Sequence, residues 1–269
     1  LLEFLEKTER ENQRLENYLF QALSLLPAHV IRDAFKRRDV KMNGQRVGRD
    51  TAASPGARVQ LYCDYSISIP VVYEDEHILA VDKPAGMLIH PSRSRLTGTL
   101  ANRVLGYYLR TGQKCAFHPI TRLDRDTFGI VLLAKNAHIH GILNQFHAEG
   151  RLQKTYHALV FGGPEEDSGT IDAPIARRPL PSLLRYVNQE GKPSQTDYTV
   201  LERRAGITKL ALRPITGRTH QLRVHCSHMG YPILGDPQYG NGPADFGLTH
   251  QLLCAKRLEF PHPITGEPM

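Results

Sequence analysis

The sequence predicts an α+β protein in two parts: a small N-terminal domain of short helices and strands, then a larger domain of many strands and a few helices. Three observations support this. Apolar residues recur at helical spacing in only a few segments, while much of the remaining chain falls into short alternating or continuous apolar runs of strand length. Turn signals punctuate those runs, Asn43-Gly44 and Lys83-Pro84-Ala85-Gly86 among them. A chain of 269 residues with 41% hydrophobic content has room for one large core and one small one.

Residues 1–13 are dense in Glu, Lys and Arg and read as an exposed lead-in helix, so the small domain is drawn over 14–66 and the large one over 67–269. The spacing of Leu15, Tyr18, Leu19, Ala22, Leu25 and Leu26 predicts a helix. Pro27 breaks it and opens a second over about 28–37, which sets Arg32 and Lys36 four apart on one face. Asn43-Gly44 between residues 40–42 and 45–47 is the strongest short-range signal for a two-residue hairpin, and a strand follows over about 58–65. Between Val30 and Arg49, seven Lys or Arg stand against two Asp, so this window carries 7 − 2 = +5 in a chain of net charge +7 and pI about 9.3. Clustered basic charge points to a polyanion, and without a membrane-anchoring motif nucleic acid is the leading partner. Arg37 and Arg38 either join Arg32 and Lys36 in that contact or only keep a small domain soluble. The bunching of the basic residues favours contact.

In the second part, residues 71–74 and 78–82 read as paired strands, Lys83 to Gly86 as a turn, 87–91 as extended chain and 97–110 as a helix. The stretch HPITRLDRDTFGIVLLAK, residues 118–135, puts an acidic, arginine-flanked loop directly before the continuous apolar run 130–134, whose length and β-branched start suit a buried strand. Asp124 thus sits on a loop at the lip of a core strand, where a scaffold can hold it towards a substrate. Alone, the alternating charges of Arg122, Asp124, Arg125 and Asp126 would read as solvated surface. A helix follows over 137–149, stopped by Gly150. Residues 154–160 then alternate as a strand that sends Lys154 and Tyr156 to one face. The Pro-, Gly- and Arg-rich span 163–195, with Arg177, Arg178 and Arg185, reads as turns between short strands. Strands over 195–203 and 209–213 lead to a helix opening near Thr219, with Arg218 ahead of its first turn and Gly230 at its far end.

Several classes are excluded. No apolar run approaches the ~20 residues a membrane span needs, and the opening residues are too charged for a signal peptide. Four scattered cysteines form no C-x-x-C pair and suggest a reducing cytoplasm. No metal is expected: His138 and His140 fall on different helix faces, and His220, His225 and His228 share no stripe. No phosphate-binding loop or dinucleotide fingerprint is present, which agrees with chemistry that needs no cofactor.

TRLDRDTFG resembles the HRLD-x-x-T-S-G signature of the RluA-type RNA pseudouridine synthases, with Thr121 where His is usual and Phe128 where Ser is usual. VVYEDEHILAVDKPAGMLIHPS is similar to that family's first motif, KTYHALV to the next, and GRTHQLRVHCSHMGYPILGDPQYG to the third. LLCAKRLEFPHPITGEPM resembles its closing strand, with Cys254 where His is common, and the likeness runs over about 70–269. Residues 14–65 resemble the RNA-binding domain first described in ribosomal small-subunit protein four.

The resemblance implies the pseudouridine synthase catalytic fold, a mixed, mostly antiparallel sheet with flanking helices and an active cleft across its middle, and isomerisation of uridine without metal, redox agent or ATP. It implies that Asp124 is the nucleophile, attacking the sugar or the uracil ring, and that Arg218 pairs with it. Arg122 would fill the space left by a flipped base or hold its phosphate. Tyr156 and Leu222 would sandwich the uracil, with Lys154 beside them. The first motif is implied to be structural, which leaves Asp82 and Lys83 without chemistry. Ribosomal RNA is the favoured partner, transfer RNA stays open, and a monomer is expected. Two other classes compete: an RNA-binding protein that keeps the fold without catalysis, and a glycosidase-type hydrolase. The hydrolase needs a second acid at a suitable distance, and Asp126 is too close in sequence to serve.

Overall fold

The computed structural model describes residues 2–5, 13–23, 28–61, 69–92, 97–240 and 247–269. The chain divides into two units, one of residues 1–69 with 88–117 and one of 70–87 with 118–269. In the first, strand β1 (Leu2–Leu5) precedes helices α1 (Leu15–Ala22) and α2 (Ala28–Lys36), then strands β2 (Val40–Met42), β3 (Gln45–Arg46) and β4 (Arg58–Leu61), and helix α3 (Leu100–Arg110). Asn43 and Gly44 both take positive φ, 51° and 82°, as a tight mirror-image turn requires, and β2 folds straight back on β3. The strands pair antiparallel in the order β1-β4-β2-β3. Leu15, Leu19, Val30, Ile31 and Ala34 supply buried residues from the two helices.

Two expectations are corrected here. The lead-in helix over 1–13 gives way at Leu2–Leu5 to a strand, because the edge of β4 offers main-chain partners that outweigh a charged helical pattern. Residues 6–12, and Leu25, Leu26 and Pro27 of the helix boundary, lie outside the described residues. Segment 88–117, assigned from sequence to the large domain, groups with the first unit. The backbone N–H groups of Leu100 and Ala101 donate to the carbonyls of Leu88 and Ile89, so α3 and its leading chain form one piece. Thr99 and Asn102 close a capping box at its start.

The second unit carries strands β5 (Val71–Glu74), β6 (Ile78–Lys83), β7 (His118–Pro119), β8 (Phe128–Ala134), β9 (Gln153–Phe161) and β10 (Ser168–Asp172). After them come β11 (Ile175–Arg177), β12 (Arg185–Val187), β13 (Gln195–Arg204), β14 (Ile207–Pro214) and β15 (Leu253–Glu259), with helices α4 (Ala137–Ala148) and α5 (Gln221–His228). Among the described residues nine strands form one sheet in the order β10-β13-β14-β9-β15-β8-β6-β5, with β7 added on β8. Only the β15–β8 pair is parallel, so the sheet is mixed and mostly antiparallel, as expected. Strands β11 and β12 make a separate hairpin.

Strand β8 is the axis of this unit. Val131, Leu132, Leu133 and Ala134 are fully buried, which is why the run is apolar without alternation. Helix α4, capped where Asn136 accepts from the Ile139 N–H at 2.9 Å, lays Ile139, Leu143 and Phe146 against Ile78, Leu132 and Ala134. Each such fully buried Leu or Ile stabilises by ~1.5–3 kcal/mol relative to exposure. Gly129 opens the strand with φ 108°, and a Cβ there would overlap the Ala255 backbone of β15. Only glycine lets β8 and β15 approach there, and the loop carrying Asp124 hangs from that junction.

Candidate active site

Residues 121–127 bridge β7 and β8, and polar anchors fix both ends of this loop. The Thr121 hydroxyl accepts from the Leu132 N–H at 3.0 Å, a structural duty for the residue that departs from the family signature. The Thr127 hydroxyl accepts from Gln251 Nε2 at 3.2 Å. Lys83, wholly buried at the end of β6, donates to the carbonyls of Pro84 (3.0 Å), Met87 (2.9 Å) and Arg125 (2.9 Å). Burial pushes its ammonium down to about 8, against the opposing pull of Asp126 and Asp124. Lys83 thus ties the loop to the turn after β6. Arg125 and Asp126 pair with each other at 2.7 Å, which leaves Asp124 for groups from elsewhere.

Those groups come from α5 and its first turn. Asp124, about 30% exposed, has its Oδ2 3.3 Å from Arg223 Nη1 and 3.9 Å from His220 Nε2. Arg223 is held in turn. Its Nε and Nη2 grip Asp236 at 2.7 and 2.8 Å, Nη2 also donates to Gln238 at 2.8 Å, and its plane lies 4.9 Å from the Tyr239 ring centroid. Asp236 further accepts the N–H groups of Gln238 and Tyr239 at 2.9 and 3.1 Å. Burial would push the Asp236 carboxyl up, but its bonds to Arg223 and to these amides hold it below the usual range. The string Gly235-Asp236-Pro237-Gln238-Tyr239-Gly240 is therefore the socket that aims one guanidinium at Asp124.

The expected partner, Arg218, does not reach Asp124. It is exposed, its Nε donates to the Pro193 carbonyl at 3.2 Å, and its backbone N–H to Gln221 Oε1 at 3.0 Å. It precedes the helix, whereas Arg223 lies on the turn that faces the loop. Sequence reasoning missed Arg223, His220, Asp236 and the anchoring duty of Lys83. The available signal was position: Arg223 falls inside the helix expected to open near Thr219, whereas Arg218 stands ahead of its first turn.

Asp124 opens on a cavity of about 450 Å³ that Arg122, Lys154, Tyr156, Arg218, Leu222 and Arg223 help to line. Tyr156 sits mid-sheet, opposite Leu212 of β14 and Ala255 of β15, and burial and the Asp124 charge push its phenol up. Lys154 donates to His147 Nε2 at 2.9 Å, and burial lowers its ammonium. Leu222 is buried in the first turn of α5, and Arg122 is exposed at the loop. His225 is structural, bonded to the Thr196 hydroxyl and the Ala173 carbonyl. In the first unit Arg32, Lys36, Arg37 and Arg38 are all exposed. Arg32 lies 5.4 Å from the Phe20 ring centroid, Lys36 meets Asp33 at 3.5 Å, and Arg37 meets Asp39 at 3.2 Å. Arg38 takes φ 59° just past the helix end. Among the described residues no helix is long and apolar enough to cross a membrane.

The family description RNA pseudouridylate synthase matches residues 77–228. An uncharacterized RNA pseudouridine synthase of Aquifex aeolicus is 36% identical, over all of this chain and 92% of the relative. Ribosomal large subunit pseudouridine synthase D of Pseudomonas aeruginosa is 39% identical, over 76% of this chain and 67% of the relative. The solved structure of human RNA pseudouridylate synthase domain containing 1 superposes with a TM-score of 0.63 at 29% identity, covering 75% of this chain and 81% of that one.

Proposed function

The chain belongs to the RNA pseudouridylate synthase family, and from that premise we propose that it isomerises a uridine of ribosomal RNA with Asp124 as the nucleophile and Arg223 as its partner. The observation that carries the residue assignment is the convergence of an anchored carboxylate, a socketed guanidinium and the apolar faces of Tyr156 and Leu222 on one cavity. Arg223 and His220 both approach Oδ2, and among the described residues no hydrogen bond reaches Oδ1. Oδ1 is the oxygen assigned to attack, at the sugar anomeric carbon or at the uracil ring. Either route breaks the bond to ring nitrogen one, lets the base turn, joins ring carbon five to the sugar and releases the carbon-five proton. Tyr156, held as a neutral hydroxyl by burial, stacks on the base and relays the carbon-five proton: its oxygen accepts that proton as its own hydroxyl proton passes to the Asp124 carboxylate, freed when ring carbon five joins the sugar. Lys154 binds beside it, Leu222 closes the other face, and Arg122 and Arg218 at the cavity bind RNA around the flipped base.

Ribosomal RNA as target is supported by relatives that carry that name, such as ribosomal large subunit pseudouridine synthase D of Nitrosomonas europaea. Residues 14–66, with exposed Arg32, Lys36, Arg37 and Arg38, serve as an RNA-binding domain that adds affinity. The enzyme works as a monomer in the cytoplasm. The hydrolase reading lacks its second acid, because Asp126 is paired with Arg125. Pseudouridine mapping of total RNA from cells with and without the gene tests the proposal. One site in ribosomal RNA should disappear on deletion. Loss of a transfer-RNA site alone would move the target, and an unchanged map would refute the activity.

A further inference from the structure

His220 stands at the start of α5 with φ 58° and ψ 18°, a left-handed backbone that is costly for a residue with a side chain. Its side chain makes no capping bond to the helix. The ring lines the cavity instead, with Nε2 3.9 Å from Asp124 Oδ2 and Nδ1 2.8 Å from the Tyr239 hydroxyl. The Tyr239 oxygen accepts the Arg185 backbone N–H at 2.9 Å. With the Arg185 amide already on the Tyr239 oxygen, the tautomer that gives the phenol proton an acceptor has Nδ1 bare and the imidazole hydrogen on Nε2, facing the carboxylate. A histidine placed for packing alone would need neither the left-handed backbone nor that direction.

We propose that His220 is a positioning residue for the nucleophile: a neutral imidazole, its tautomer fixed by Tyr239, that donates Nε2–H to Asp124 Oδ2 as the site closes on RNA. This rests on the functional reading above. The 3.9 Å separation is long for a hydrogen bond, and catalytic contacts of this kind tighten when substrate is bound. With Arg223 on the same oxygen, the second donor fixes the carboxylate plane and turns Oδ1 to the reacting carbon. The groups facing the ring agree with a neutral imidazole. Burial first, and the charges of Arg223 and Arg185, hold it below the usual histidine range against the opposing pull of Asp124 and Asp236.

The test is single-turnover release of tritium from ring carbon five in [5-³H]uridine-labelled ribosomal and transfer RNA transcripts, measured between about pH 5 and 8.5 across the histidine range. His220→Ala should slow the step by roughly 10- to 100-fold with RNA affinity kept. His220→Gln meets the same backbone strain but restores an N–H near the Nε2 position, so it should recover about tenfold of that loss. In the wild type the rate should fall as pH drops and His220 gains a proton, because the imidazolium can no longer accept from Tyr239. His220→Gln has no such proton to gain, so that acid limb should move to lower pH. A wild-type rate in His220→Ala, no recovery in His220→Gln, or an unmoved acid limb would each overturn the proposal. Absence of tritium release by the wild type itself would instead refute the functional reading, and this proposal with it.

Discussion

Replacing Arg223 by lysine keeps a positive charge and removes the planar fork, so it isolates what the geometry contributes. Arg223 donates two bonds to Asp236 at 2.7 and 2.8 Å, one to Gln238 at 2.8 Å and one to Asp124 at 3.3 Å. A lysine ammonium is a single point with three donors, and seated on Asp236 it cannot also reach Asp124. A charge-assisted bond of this kind contributes roughly 1.5–3 kcal/mol, so Arg223→Lys should slow the single-turnover step by about 10- to 100-fold. Arg223→Ala should cost more in stability. Asp236, with its side chain fully buried, keeps only the Gln238 and Tyr239 amides, and breaking such a buried pair destabilises by about 3–5 kcal/mol. The exposed Arg218 gives the control. Arg218→Ala should weaken RNA binding and change the rate at saturating RNA by less than about tenfold, because its guanidinium contacts the Pro193 carbonyl and not the nucleophile. Tritium release at saturating RNA, with thermal melts alongside, separates these effects. A near-normal rate in Arg223→Lys together with a collapsed rate in Arg218→Ala would refute the reasoning.

Three further outcomes follow from the geometry. Gly129→Ala drives a Cβ into the Ala255 backbone at φ 108°, so melts should show a loss of about 2–4 kcal/mol; an unchanged midpoint would mean that β8 and β15 can part freely. Lys83 releases its proton near pH 8 in the folded protein and only near 10.5 when unfolded. Across that window the unfolded chain binds more protons, so wild-type stability should rise with pH relative to Lys83→Met, by at most about 3 kcal/mol; parallel pH–stability curves would contradict this. Neutralising Arg32, Lys36, Arg37 and Arg38 to Gln should weaken RNA binding, make its log–log salt slope shallower by roughly one to three, and leave the rate at saturation unchanged. A lower rate at saturating RNA would assign these residues to the chemistry instead.

What the sequence could reveal depended on how local each signal was. The hairpin at Asn43-Gly44 and strand β8 were legible because turn chemistry and an unbroken apolar run act within a few residues. Helix α4 was equally plain from the spacing of Ile139, Leu143 and Phe146. Leu2–Leu5 misled because it opens a stretch dense in charge further on, while the strand edge it pairs with is not contained in the local pattern. Choosing Arg218 over Arg223 failed for a related reason. Both arginines occur in one short string, and which of them meets a carboxylate 99 residues upstream depends on how α5 is turned against the loop after β7. Lys83 was legible only as part of a structural motif without chemistry, because its three carbonyl acceptors converge only once residues 84–87 and Arg125 are brought together.

The assignment of Asp124 is tested most directly by Asp124→Asn in the tritium-release assay. The amide keeps the shape of the side chain and its place beside Arg223 but has no attacking oxygen anion. The variant should melt near the wild-type temperature, bind RNA with similar affinity and release no tritium above background. Release at the wild-type rate would contradict the assignment of Asp124 as nucleophile.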